Sequence, residues 1–159
     1  VPPPGGGAPG DPALVVADKA APECHDLAQR GSLIATAARA SKFTAGAPLA
    51  APPSGLYVVA EIVEWESEPG AASSEPPSRT TVFVTPARWY YVNESEKEVD
   101  RATASWSIAD GWLSREVTCR VYGAGQKLKQ QIWASQAGFT VLASSRAGRP
   151  LTVRYERRD

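Results

Sequence analysis

The polarity pattern divides the chain into three stretches. Residues 1–22, opening "VPPPGGGAPGDPA", are broken by Pro2, Pro3, Pro4, Gly5, Gly6 and Gly7. Such composition holds no packed element and reads as an extended tail. In "LAQRGSLIATAARASKF", Leu27, Ile34 and Ala38 with the small residues Gly31 and Ala35 fall on one stripe, and Gln29, Arg30, Arg39 and Lys42 lie elsewhere. That spacing predicts a helix over 27–43, capped by Asp26 and lying close against a sheet. Gly46, Pro48, Pro52, Pro53 and Gly55 then impose a loop.

From Leu56 onward the period is two. "LYVVAEIVEWE" alternates with both faces apolar at first and polar towards the end, as expected of a long strand leaving a core. "SEPGAASSEPPS" predicts an exposed connection, and "TTVFVTPARWYYV" resumes the strand pattern across a break at Pro86. "ATASWSIADGWLSREVTCRVYG" predicts a hairpin turning at Asp110-Gly111. On its second strand Leu113, Arg115, Val117, Cys119 and Val121 share a face, so Cys119 is expected in the core. "GFTVLASS" and "LTVRYERR" close the chain as strands, and "QKLKQQIWASQ" fits a strand or a short helix.

One helix followed by about six strands predicts an α+β domain over 23–159, the N-terminal helix packed on a mostly antiparallel sheet, with residues 1–22 as a flexible tail. An all-β sandwich or barrel carrying one helix is the alternative.

Composition narrows the function. With 17 Lys and Arg against 17 Asp and Glu, the formal net charge is zero, which argues against a nucleic-acid binder working by bulk charge. No apolar run reaches the ~20 residues of a membrane span. The chain does not open on methionine, as expected after removal of a leader. Its two cysteines, Cys24 and Cys119, form an even pair and predict one disulfide, and "NES" at Asn93 fits a glycosylation acceptor. Together these features predict a secreted or extracytoplasmic protein.

The cluster "PECHD" joins Cys24 to His25, the only histidine. Zinc needs about four ligands from two segments, and a second Cys or His pair is missing. Adjacent side chains diverge, so His25 is poorly placed to serve Cys24 as a base, and it is expected to be an exposed residue beside the helix start. The cluster reads as an anchor, with no metal, no cofactor and no catalytic residue implied.

Two surfaces remain. Residues 60–100 hold nine acids and three bases, and 115–159 hold nine bases and three acids. These segments either pair across the sheet or form a bipolar steering surface. In "RWYYV", Trp89 and Tyr91 share one side, and Trp106 and Trp112 flank the Asp-Gly turn, where they are able to pair across it. Arg88, Trp89, Tyr91, Trp106 and Trp112 are therefore the candidate partner-binding residues, because Trp, Tyr and Arg dominate binding hot spots. The expectation is a non-enzymatic binding or inhibitory domain recognising a protein partner. One alternative is a small hydrolase built on Glu61, Glu64, Glu66 and Glu68. Another is an assembly subunit docking through its N-terminal tail.

Overall fold

A computed structural model describes residues 14–49, 52, 54–121 and 124–158. It contains nine strands: β1 (Ala37–Ala38), β2 (Gly55–Glu64), β3 (Arg79–Val84), β4 (Trp89–Glu94), β5 (Val99–Ala109), β6 (Trp112–Arg120), β7 (Lys127–Ser135), β8 (Gly138–Ser144) and β9 (Pro150–Arg157). From β2 to β9 each strand pairs antiparallel with the next, and β9 returns to β2 from Tyr57↔Arg157 to Glu64↔Leu151. The result is a closed, eight-stranded up-and-down barrel. β1 adds a short parallel pairing to β2 at Val63 and Glu64.

The α+β expectation is overturned, because no helix occurs among the described residues. The stretch 27–43 lies along the barrel, and strand groups hydrogen-bond to its side chains and backbone. The Gln29 amide donates to the Arg79 and Val92 carbonyls, the Thr81 hydroxyl donates to Gln29 Oε1, and Arg30 N–H donates to Thr81 Oγ1 at 2.8 Å. A Cβ on Gly31 would stand 2.9 Å from the Thr80 carbonyl oxygen, so only glycine lets the segment run this close. Tertiary partners outweigh a helix propensity already weakened by that glycine. Asp26 caps no helix and instead accepts the Ala17 N–H at 2.7 Å.

The arm explains why β2 is apolar on both faces. Inside the barrel, Tyr57, Val82, Val84, Leu113, Ile132 and Phe139 are buried in one core. Outside, Leu27 of the arm is buried with Leu56, Tyr90 and Val92, and Leu14, Val16 and Phe83 pack against them. Residues 1–13 of the expected tail lie outside the described residues, while Leu14 and Val16 belong to this outer cluster.

Two irregularities reset the alternation. The register shifts between Val59 and Glu61, turning Ile62 into the barrel core beside Val59. A second shift pairs Ala104 with Val117 but Thr103 with Cys119. The extra residue, Thr118, turns Cys119 outward, where it forms the expected disulfide with Cys24 of the arm. Cys119 therefore staples the arm to the outer wall instead of sitting in the barrel core. The hairpin turn stands as expected, with Asp110 and Gly111 at φ 53° and 79°.

The oppositely charged segments meet. Glu61 stands opposite Arg154, with the charged atoms 3.8 Å apart, Asp100 pairs with Arg120 at 2.8 Å, and Glu75 with Arg146 at 3.5 Å.

Candidate ligand-binding cavity

The barrel core holds a cluster of rings. Phe139 contacts Tyr57 and Tyr155, each at 4.9 Å between centroids, and Trp89 at 5.7 Å. Beyond these rings the interior opens into a cavity of about 250 Å³. Trp89 and Tyr91 of β4, Arg115 of β6, Gln130 of β7 and Tyr155 of β9 supply its aromatic and polar lining. Ala102, Ala143 and Val153 leave the space free because their side chains are short. Asp100 and Arg120, part-exposed at the start of β5 and the end of β6, form an ion pair at the rim.

Arg115 is the unusual member. It occupies the inward parity of β6 between Leu113 and Val117, both buried. Its guanidinium lies 5.3 Å from the Trp89 ring centroid and donates through Nη2 to Gln130 Oε1. No carboxylate pairs with it among the described residues, and its Nε–H is buried without an acceptor. The Trp89 indole N–H is likewise buried without an acceptor. Burial pulls the Arg115 guanidinium below its ordinary pKa, while the Tyr155 and Tyr91 hydroxyls act in the opposite direction. Burial pushes both tyrosines up, so they stay neutral at physiological pH.

His25 braces the wall from outside. It is buried, not exposed: only 2% of its surface is accessible. Its Nε2 bonds the Tyr91 carbonyl oxygen at 2.9 Å, and its Nδ1 accepts the Leu27 N–H at 3.1 Å. Those bonds define a neutral imidazole protonated on Nε2. Desolvation is the main reason its pKa is lowered, opposed by the bond to the Tyr91 carbonyl and reinforced by nearby Arg101.

The carboxylates read from the sequence fall in different settings: Glu66 and Glu68 are exposed on the connection after β2. Glu64 is fully buried and accepts bonds from the Ser73 hydroxyl at 3.1 Å, the Ser74 N–H at 3.2 Å and the Ser74 hydroxyl at 2.9 Å. Ser145 contributes most to holding its carboxyl down to about 2, against the opposing pull of burial, with Ser74 and Ser73 adding to the effect. Glu64 thereby ties the 65–77 connection to the barrel end, while Glu61 faces Arg154.

Of the expected partner-binding residues, the structure gathers three inside. Trp89 is buried, Tyr91 lines the cavity, and half-buried Trp106 stands 6.1 Å from Trp89 and donates its indole N–H to the Thr85 carbonyl. Arg88 is exposed on the β3–β4 turn. Trp112 is 38% exposed, with the Lys129 ammonium 5.3 Å from its ring. Trp106 and Trp112 do not pair, because the register sets them opposite Arg115 and Ala109. Asn93 donates its side-chain amide to Thr80 Oγ1 at 2.7 Å. No cluster of three or more His, Cys, Asp or Glu side chains is placed to hold a metal among the described residues, and no helix is long and apolar enough to cross a membrane.

Sequence reasoning passed over Arg115, Gln130 and Tyr155. A signal existed for the first: a lone arginine on an otherwise apolar alternating face, Leu113-Arg115-Val117. The chain matches no family model, no curated protein and no solved structure.

Proposed function

We propose that this is an extracytoplasmic, non-enzymatic binding protein whose ligand is a small molecule held inside the barrel. One observation carries the reading: two residues lining the 250 Å³ cavity, Arg115 and Trp89, each hold a buried donor, Nε–H and Nε1–H, that has no acceptor among the described residues. Buried polar groups are satisfied almost everywhere in folded proteins, so a pair left open in one cavity points to a partner from outside the chain. The disulfide is compatible with an oxidising compartment. The binding role expected from the aromatic residues is kept, but its location moves from a protein-facing surface to the interior, where Trp89 and Tyr91 point.

Ligand-observed NMR with single-ring compounds (benzyl alcohol, benzamide and benzoate) tests the reading. The wild-type protein should bind at least one of them. Ala143→Phe, which fills the cavity without altering Arg115, should abolish that binding while leaving the β-sheet circular dichroism intact. Ala102→Leu should weaken it by the same route. Absence of binding by all three compounds, or binding indifferent to both substitutions, overturns the proposal.

A further inference from the structure

We propose that the ligand is a monoanion, a carboxylate carried on a single ring, with the carboxylate held by Arg115 and the ring lying among Trp89, Tyr91 and Tyr155. This rests on the cavity being a ligand site, and it names what that site selects.

Charge is the first argument. Asp100, Arg115 and Arg120 are the ionised members of the lining, two cations against one anion, so the cavity carries a net charge of +1. Asp100 and Arg120 neutralise each other at the rim, at 2.8 Å. What remains is the inner cation, and one negative charge balances it. A doubly charged phosphate would leave the cavity at net −1, an excess charge that is costly in a largely buried site.

The state of the other arginines is the second argument. Arg146 and Arg154 each face a carboxylate, and Arg101 gives its guanidinium to the Leu27 carbonyl at 2.7 Å. Arg115 has one neutral amide oxygen, that of Gln130, and a buried Nε–H left over. A guanidinium edge is matched by a planar carboxylate, which accepts two N–H groups at once.

Size and shape complete the class. About 250 Å³ is room for roughly eight waters at ~30 Å³ each, which suits a single ring with a carboxylate and is too small for a nucleotide or a long acyl chain. Trp89, Tyr91 and Tyr155 offer ring surfaces to a flat apolar body.

Calorimetric titration of the full chain with benzoate and with benzamide, its neutral isostere, tests the inference. Benzoate should bind about 10- to 100-fold more tightly, the range of one charge-assisted hydrogen-bonded contact. Arg115→Met should remove that preference, lowering benzoate affinity by far more than benzamide affinity. Arg115→Lys, which keeps the charge without the planar fork, should keep part of it. Equal binding of the two compounds by the wild-type protein, or a preference surviving Arg115→Met, overturns the carboxylate assignment and leaves the cavity as a site for neutral rings. Failure of both compounds to bind overturns this inference, and the ligand-site reading falls with it only if benzyl alcohol also fails to bind.

Discussion

Arg115→Met should leave the protein as stable or slightly more stable while destroying its charge preference. In the unliganded barrel, the buried Nε–H has no acceptor among the described residues, a defect that costs up to about 1–3 kcal/mol. Two favourable contacts oppose that cost. The guanidinium over Trp89, 5.3 Å from the ring centroid, contributes about 0.5–2 kcal/mol. The bond to the Gln130 amide contributes about 0.5–1.5 kcal/mol. Methionine keeps much of the stem's packing, adds a sulfur–aromatic contact and buries no charge. Replacing buried ionic groups with apolar ones of similar size is commonly neutral or stabilising by 1–4 kcal/mol. The expected net effect runs from neutral to a gain of about 1 kcal/mol, at most roughly 2–4 °C in melting temperature for a chain of this size. Urea unfolding followed by far-ultraviolet circular dichroism measures it, with an unchanged m-value certifying that both states are comparable. Arg120→Met is the contrast: it leaves Asp100 without its partner at 2.8 Å and should cost up to about 1 kcal/mol. If Arg115→Met costs more than about 1 kcal/mol, Arg115 is a strut of the fold and the ligand argument fails with it.

The disulfide joins residues 95 apart in sequence, so reducing it, or the Cys24→Ser/Cys119→Ser double variant, should cost about 2–5 kcal/mol in chemical denaturation. Gly138→Ala should cost about 1–3 kcal/mol or more by the same measurement, because its Cβ would fall 1.9 Å from the Tyr155 carbonyl oxygen, a rigid backbone atom. His25 gives a pH signature. Its folded pKa lies below the ordinary histidine value of 6.5, so the unfolded chain takes up the proton first. Stability should be flat above about pH 7 and decline as pH falls through 6.5 towards the folded pKa. Unfolding free energies measured between pH 7.5 and 5.5 should show that slope, and His25→Gln should remove it, since the chain holds no other histidine.

Strand positions, the Asp110-Gly111 turn and the disulfide were legible because each is a short-range or counting signal. The bulges were not. Alternation carried unbroken through "LYVVAEIVEWE" puts Ile62 on the face opposite Val59, whereas the shift between Val59 and Glu61 turns both into the barrel core. One extra residue at Thr118 likewise moves Cys119 from the inner face to the outer wall. A single bulge inverts every later assignment on its strand, and nothing in residue type marks where it falls. The arm misled for a different reason. Its small residues at helical spacing serve close approach to β3, with Gly31 against the Thr80 backbone, and periodicity alone does not distinguish a stripe that packs as a helix from one that lies flat.

The aromatic residues that suggested a protein-binding surface are the ones the closed barrel turns inward, and the arm is what makes that arrangement affordable. A barrel that keeps a cavity gives up interior packing, since Ala102, Ala143 and Val153 leave space where larger side chains would fill it. Apolar burial is moved to the outer wall, where Leu27 closes over Leu56, Tyr90 and Val92. The Tyr90 hydroxyl donates to Asp18 of the arm at 2.9 Å, and His25 grips the carbonyl of the next residue, Tyr91. Tyr90 and Tyr91 thus divide the work of one strand, the first facing the arm and the second facing the cavity. The "PECHD" cluster belongs to that outer layer: Cys24 fixes the arm to β6, and buried His25 fixes it to β4 directly behind a cavity residue. Loss of the arm should therefore reach the interior through β4, loosening Tyr91 and, beside it, the Trp89 ring on which Arg115 rests.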